Sequence, residues 1–176
     1  MTDRVSLVPD GFEVPLELAG DGFRLEPLGE QHNERDLAAW SGSIDHIRAT
    51  PGYPDGSWPP PEGMTAERNL ADLARHARDF ADRFGFTYSV LDGDDVIGCV
   101  YIYPSHERPD GVEVSSWVRA DRAELDGPLY EAVSRWLAEV WPFEPGVHPR
   151  SASALRRLMP DLKQRYQRDL ENEHIA

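Results

Sequence analysis

Apolar and polar positions change period several times along this chain, and each change marks an element. Val112, Val114, Ser116 and Val118 alternate with Glu113, Ser115 and Trp117, the two-residue period of a strand. A polar stretch, Arg119–Asp126, follows. Gly127-Pro128 then opens a helix, with proline in a first-turn position where its missing N–H has no helical partner. Leu129, Val133, Trp136, Leu137 and Val140 recur at helical spacing and form one apolar stripe. Upstream, Phe23–Leu28 alternates and predicts a first strand. Gln31–Trp40 predicts a helix, extended by a short turn through Ile44 and Ile47. Thr65 is a candidate N-cap for a helix running to about Phe84, with Leu70, Leu73, Ala77, Phe80 and Phe84 as its buried stripe. Arg68, Asp72, Arg75, Arg78, Asp79 and Asp82 fall on the other side and read as a solvated face.

Phe86–Leu91 and Val96–Tyr103 flank the turn residues Asp92-Gly93-Asp94-Asp95 and predict a hairpin. The second strand is apolar on both sides, Val96, Val100 and Ile102 on one and Ile97, Cys99, Tyr101 and Tyr103 on the other. That pattern places it centrally in a sheet. Gly98 in its middle predicts a bulge or the close approach of another group. Residues 1–22 read as a loosely packed arm with a short strand around Phe12–Leu18. The prolines and glycines of residues 49–63 allow neither helix nor central strand, so this is a long loop, either functional or a surface excursion. After Phe143 the pattern fails: 144–149 reads as a turn, and Ser151–Met159 and Asp161–Asn172 are helical by composition, separated by Pro160. The predicted order β, α, α, β, β, β, α defines an α/β (α+β) domain over 23–143, preceded by the arm and followed by an atypical C-terminal helical segment, 144–176.

Composition narrows the classes. A length of 176 residues, 40% hydrophobic with five Trp, suits one globular domain. The net charge of −14 opposes binding to nucleic acid or to anionic membranes and tolerates cationic partners such as amines. The charge is uneven: residues 147–176 hold six Arg and Lys against four Asp and Glu. A contact between two copies of the chain through these basic helices, a homodimer, is one expectation. Cys99 is the only cysteine, which excludes an internal disulfide and any multi-cysteine metal site. No apolar run approaches the ~20 residues of a membrane span, and residues 1–10 lack the basic start and apolar core of a secretory signal. A cytoplasmic location is the expectation. No H-x-x-x-H or H-E-x-x-H spacing occurs, so no metal is expected.

The Phe86–Tyr103 hairpin "FTYSVLDGDDVIGCVYIY", followed by "VEVSSWVRADR" running into a helix, resembles the GNAT superfamily of N-acetyltransferases over roughly residues 23–143. The resemblance implies a mixed, mostly antiparallel sheet with flanking helices, and acetyl-CoA as co-substrate. It implies that the strand ending in Ser116, Trp117 and Val118 offers its backbone to the pantetheine arm. It also implies that the loop carrying Arg119, Arg122, Gly127 and Leu129 cradles the pyrophosphate, where the family uses Q/R-x-x-G-x-G/A. Here the loop reads Arg122-Ala123-Glu124-Leu125-Asp126-Gly127-Pro128-Leu129, with one glycine, two carboxylates and one residue without an N–H. Arg119 and Arg122 either meet phosphate or are solvated or paired with Glu124 and Asp126. The family's next strand is missing or very short.

Acyl transfer to an amine needs a base for the amine, an N–H donor for the oxyanion and an acid for the leaving thiolate. Glu113 is the first candidate base, with an ordinary exposed strand carboxylate as the alternative. A backbone amide near Trp117 or Val118 is the candidate oxyanion donor. Tyr130 and Tyr166 are candidate acids, or packed aromatics with bonded hydroxyls. Tyr101 and Tyr103 either line an acceptor pocket or pack in the core. Asp45, His46 and Arg48 lie where the family shapes its acceptor site. The implied acceptor is an amine on a small molecule or a peptide. The other reading is a domain of this fold that has lost catalysis and serves in binding or assembly.

Overall fold

Six strands lie side by side in chain order in a computed structural model of the protein, which describes residues 4–50, 58–106, 111–143 and 149–150. They are β1 (Leu18–Gly20), β2 (Phe23–Pro27), β3 (Phe86–Asp92), β4 (Asp95–Pro104), β5 (Val112–Val118) and β6 (Pro149–Arg150). The first five pair antiparallel, and β6 runs parallel to β5. Between β2 and β3 come α1 (Asn33–Ser41), α2 (Ile44–Arg48) and α3 (Ala66–Ala81), and α4 (Asp126–Glu139) follows β5. This is the α+β, mostly antiparallel sheet with flanking helices that the element order predicts.

Both faces of the sheet are covered, because the central strand β4 is apolar on both sides and each face must leave water. On one face, Tyr88, Val100, Ile102, Val114 and Val118 pack against Leu129, Val133, Trp136 and Leu137 of α4. On the other, Leu91, Val96, Cys99 and Trp117 pack against Trp40 of α1, Ile47 of α2 and Leu73 of α3. Strand β4 does not keep one alternation from end to end. The register with β3 shifts between Val90 and Leu91, inserting one extra residue in β4. The bulge moves Val96 to the side of Cys99 and Tyr101, and Ile97 to the side of Val100 and Ile102, so the two residues exchange the faces expected from strict alternation. Next to it, Gly98 is closely approached: a Cβ there would come 2.4 Å from the Trp117 carbonyl oxygen.

Three other expectations are corrected. The N-terminal arm is not loosely packed. Val8 is buried in the α4-side core, the Leu7 N–H donates to the Arg83 carbonyl, and the Tyr88 hydroxyl donates to the Pro15 carbonyl. Its strand is Leu18–Gly20 rather than Phe12–Leu18. Helix α3 begins as expected, with the Thr65 hydroxyl accepting from the Arg68 N–H, but it ends at Ala81, because Arg83 turns to φ 59°. Its buried positions are Asn69, Leu73, His76 and Asp79, whereas Leu70 is exposed. Finally, the stretch read as a turn before residue 150 ends in the two-residue strand β6.

Candidate functional site

Strand β5 is the centre of the candidate site. It pairs with β4 along its whole length, from Val112 to Val118, but with β6 only at Val114 and Ser115. Among the described residues, no strand covers its outer edge from Ser116 to Val118. The backbone direction follows from one bond: the Arg119 N–H donates to the Ile97 carbonyl at 2.8 Å, toward β4. Successive residues of an antiparallel strand point their N–H and C=O groups to opposite sides. Trp117 therefore turns its backbone groups toward β4, and Ser116 and Val118 turn theirs to the open edge. Of the two amides named as oxyanion donors, the one of Val118 has the right direction.

The Ser116 side chain lies between Val114 and Val118, which places it on the α4 face. It is 1% exposed, and its hydroxyl has no hydrogen-bond partner among the described residues. Helix α4 presents a second such hydroxyl, Ser134 Oγ, also buried and without a partner among the described residues. The helix packs against β1, β5 and β6. Pro128, Ala132 and Trp136 form its flank toward β1, where they line a groove of about 530 Å³. Tyr130, Ser134 and Leu137 follow at helical spacing on the flank turned away from β1. Ser134 is a residue the apolar stripe could not have pointed out, since a lone serine in a helix ordinarily faces water.

The loop after β5 is not an extended cradle. Ala120–Leu125 winds as two short 3-10 turns, kinked at Arg122 (φ −124°), that run directly into α4. Within them, the Arg122 N–H donates to the Arg119 carbonyl and the Asp126 N–H to the Ala123 carbonyl. The Ala120 N–H donates to the hydroxyl of Ser43, at the start of α2, at 2.9 Å. The arginines are paired, though not with Glu124 and Asp126. Arg119 grips both oxygens of Asp121 at 3.0 and 2.6 Å, and Arg122 reaches Asp92 in the β3–β4 turn at 2.8 Å. The Arg119 guanidinium holds the Asp121 carboxyl below its ordinary range, and Asp92 raises the Arg122 guanidinium. Asp126 is buried at the first turn of α4. Gly127 is half-buried and Leu129 fully buried beneath the helix. Against the loop lies a cavity of about 410 Å³, bordered by Arg35, Ser43, Asp95 and Asp121 as well as by Arg119.

Behind β5 and β4, on the face covered by α1–α3, lies a polar network that the sequence pattern hides. Tyr103 donates its hydroxyl proton to Asp79 at 3.0 Å. His76 Nδ1 lies 2.7 Å from the same hydroxyl and 3.0 Å from Thr87 Oγ1. Arg75 Nη2 lies 3.1 Å from His76 Nε2, which also stands 3.6 Å from Asp72. Asp79 also pairs with Arg4 and, at 3.4 Å, with Arg75. Burial raises the Asp72 carboxyl, but hydrogen bonds from His76 and Arg75 outweigh it and bring its pKa down to about 2. Asp36 behaves oppositely: burial pushes its pKa up to about 6 despite the Asn69 amide that donates to it at 3.1 Å. Tyr101 accepts from Trp117 Nε1 at 3.1 Å and stands edge-on to Trp58.

Glu113 is half-buried and stands opposite Tyr103 in the β4–β5 register, on the α1–α3 face. Three residues of strand, roughly 10 Å, separate it from Ser116, which faces the other way. Tyr130 is buried in the first turns of α4, on the α4 face. Tyr166 lies outside the described residues, as does the segment read as C-terminal helices. Of the residues after the first helix, Arg48 donates to the Pro59 carbonyl at 2.9 Å and ties α2 to the proline-rich loop. Asp45 is exposed and His46 half-buried.

This sheet, with its two-residue parallel strand beside β5 and a helix leading away from the open edge, is the fold of the GNAT N-acetyltransferases. Among solved structures, the chain is similar to the ribosomal-protein-S5-alanine acetyltransferase from Vibrio fischeri, with a TM-score of 0.55 and 13% identity over 70% of this chain and 67% of that one. It is similar to RimL, a ribosomal L7/L12 alpha-N-protein acetyltransferase, with a TM-score of 0.55 and 12% identity over 76% and 70%. It is also similar to the microcin C7 self-immunity acetyltransferase MccE, solved with acetyl-CoA and AMP, with a TM-score of 0.51 and 14% identity over 76% and 68%. No family model and no curated protein matches the sequence. Among the described residues, no helix is long and apolar enough to cross a membrane.

Proposed function

We propose that the protein is an acetyl-CoA-dependent N-acetyltransferase acting on an amine of a small molecule or peptide. The observation that carries this reading is the open edge of β5 at Ser116–Val118, bordered by α4, on the fold described above. The residues present suit a thioester with an amide-bearing arm: outward-facing backbone groups of Ser116 and Val118, and a buried hydroxyl of Ser116 with no partner among the described residues. When bound, acetyl-CoA supplies the acyl group as a thioester. Glu113 takes the proton that the acceptor nitrogen loses as the C–N bond forms, through water, because the strand geometry keeps the carboxylate away from the open edge. The Val118 N–H donates to the oxygen that becomes negative. As the C–S bond breaks, the departing sulfur receives a proton from Tyr130 or Tyr166. Ser116 and Val118 hold the arm, Trp117 between them turns its backbone groups to β4, and Arg119, Arg122, Gly127 and Leu129 border its phosphates. Titration calorimetry with acetyl-CoA tests the reading; absence of heat at millimolar ligand rejects it. In the active protein, Glu113→Gln lowers kcat by about 10²–10⁴-fold.

A second reading, a domain that binds or assembles without catalysis, is favoured by one observation: both loop arginines are already paired with carboxylates. Coenzyme A release from acetyl-CoA in the presence of an amine removes it.

A further inference from the structure

A thioester donor of the coenzyme A type offers two handles, an anionic nucleotide end and an arm carrying two amides. The two ends of the candidate slot are built very differently toward these handles. Phosphate is best met by guanidinium forks without a carboxylate and by backbone N–H groups without a partner. At the loop, Arg119 already meets Asp121 and Arg122 already meets Asp92. The N–H groups of Ala120, Arg122 and Asp126 already donate to protein oxygens. Pro128 has no N–H, Asp126 adds a buried carboxylate, and the chain as a whole carries −14. A phosphate arriving here exchanges one ion pair for another and gains little from exposed partners.

The strand end is the reverse. Ser116 and Val118 direct backbone groups outward, where no described strand meets them. Two buried hydroxyls, Ser116 Oγ on β5 and Ser134 Oγ on the flank of α4 turned away from β1, lack partners among the described residues. A buried hydroxyl without a partner is costly, so a ligand amide that supplies one is bound correspondingly tightly. We propose that the protein recognises its acyl donor through the pantetheine arm rather than the nucleotide, with the hydroxyls of Ser116 and Ser134 as side-chain partners of the arm's amides. The inference rests on the acyltransferase reading above. It makes thioesters of 4′-phosphopantetheine, which lack the nucleotide, ligands of nearly the same rank as those of coenzyme A.

The experiment is a calorimetric titration of the full chain with coenzyme A, with 4′-phosphopantetheine and with 3′-phospho-ADP, repeated on Ser116→Ala and Ser134→Ala, alongside melting curves of the free proteins. The expected result is affinities for coenzyme A and 4′-phosphopantetheine within about tenfold of each other, with 3′-phospho-ADP at least about tenfold weaker than either. Each serine variant weakens both arm-bearing ligands by about tenfold and leaves the melting temperature of the free protein unchanged or raised, since no internal bond is lost. Three results overturn the inference while sparing the acyltransferase reading. They are 3′-phospho-ADP binding as tightly as coenzyme A while 4′-phosphopantetheine does not bind, unchanged ligand affinities in both variants, and a lowered melting temperature in both, which reveals hydroxyls already engaged within the protein. Silence from all three ligands removes the acyltransferase reading and the inference together.

Discussion

Helices α3 and α4 cover opposite faces of one sheet and bury opposite kinds of surface. Under α4 lie Leu129, Val133, Trp136 and Leu137, a continuous apolar stripe. Under α3 lie Asn69, His76 and Asp79, with Leu73 as the one fully buried aliphatic. The two arrangements place different demands on their surroundings. Apolar groups need only exclusion from water, whereas polar groups need specific partners. On α3 those partners come from far along the chain: Trp40 Nε1 donates to Asn69 at 3.1 Å, Tyr103 donates to Asp79, and Arg4 of the N-terminal stretch also meets Asp79. Helical periodicity of apolar residues finds a helix like α4 and misjudges which side of a helix like α3 is buried.

The comparison breaks most visibly at Trp136. It is 6% exposed and stands edge-on to Tyr88 and Trp141, with ring centroids 5.2 and 5.3 Å away. Trp136→Ala opens a cavity under α4 and costs about 3–5 kcal/mol in urea unfolding. A loss under about 1 kcal/mol means that α4 does not anchor that face.

On the α3 side the sharper probe is pH. The Asp36 carboxyl, 5% exposed, is raised from 3.8 to about 6 by burial. Between those values the folded protein holds a proton that the unfolded chain releases, so stability falls as pH rises from about 4 to 6. It stays lower above that range, by up to about 3 kcal/mol. Asp72, with its pKa lowered to about 2, acts with the opposite sign and in a lower window, losing its contribution as pH falls below about 4. Asp36→Asn keeps an oxygen for the Asn69 amide and removes the ionisation. Its unfolding free energy is nearly flat between pH 4.5 and 7.5 and exceeds that of the parent at the higher pH. Parallel pH curves for the two proteins refute the burial of Asp36 as a charged group.

Legibility follows the same division. The alternation in Val112–Val118 located β5, and Thr65 located the start of α3, because strand period and N-cap chemistry are local. The end of α3 was misread at Phe84 because Arg83, not a glycine, adopts the left-handed turn. The exchanged faces of Val96 and Ile97 depend on a bulge, of which Gly98 gave only a hint. In the site, the strand β5 itself was legible through its alternation. The partner of Arg122 was not, since Asp92 lies thirty residues away and meets it only through the β3–β4 turn. The cap itself is a modest test: Thr65→Ala removes an acceptor from the Arg68 N–H at 3.2 Å and lowers stability by about 1 kcal/mol in thermal unfolding.

The smallest effect is the most discriminating. Leu70 belongs to the apolar stripe of α3 by spacing, yet it is 39% exposed, whereas Leu73 is 2% exposed and packs with Trp40 and Trp117. If spacing governed burial, the two alanine variants would cost alike. If the polar stripe Asn69–His76–Asp79 sets the rotation of the helix, Leu70 lies at its margin. Leu70→Ala then changes the urea midpoint by no more than about 0.5 kcal/mol in equivalent stability, against about 2–5 kcal/mol for Leu73→Ala. Equal losses would mean that α3 is rotated so that its leucines, and not Asn69, His76 and Asp79, face the sheet. The hydrogen bonds from Trp40 and Tyr103 to α3 would then have to be abandoned.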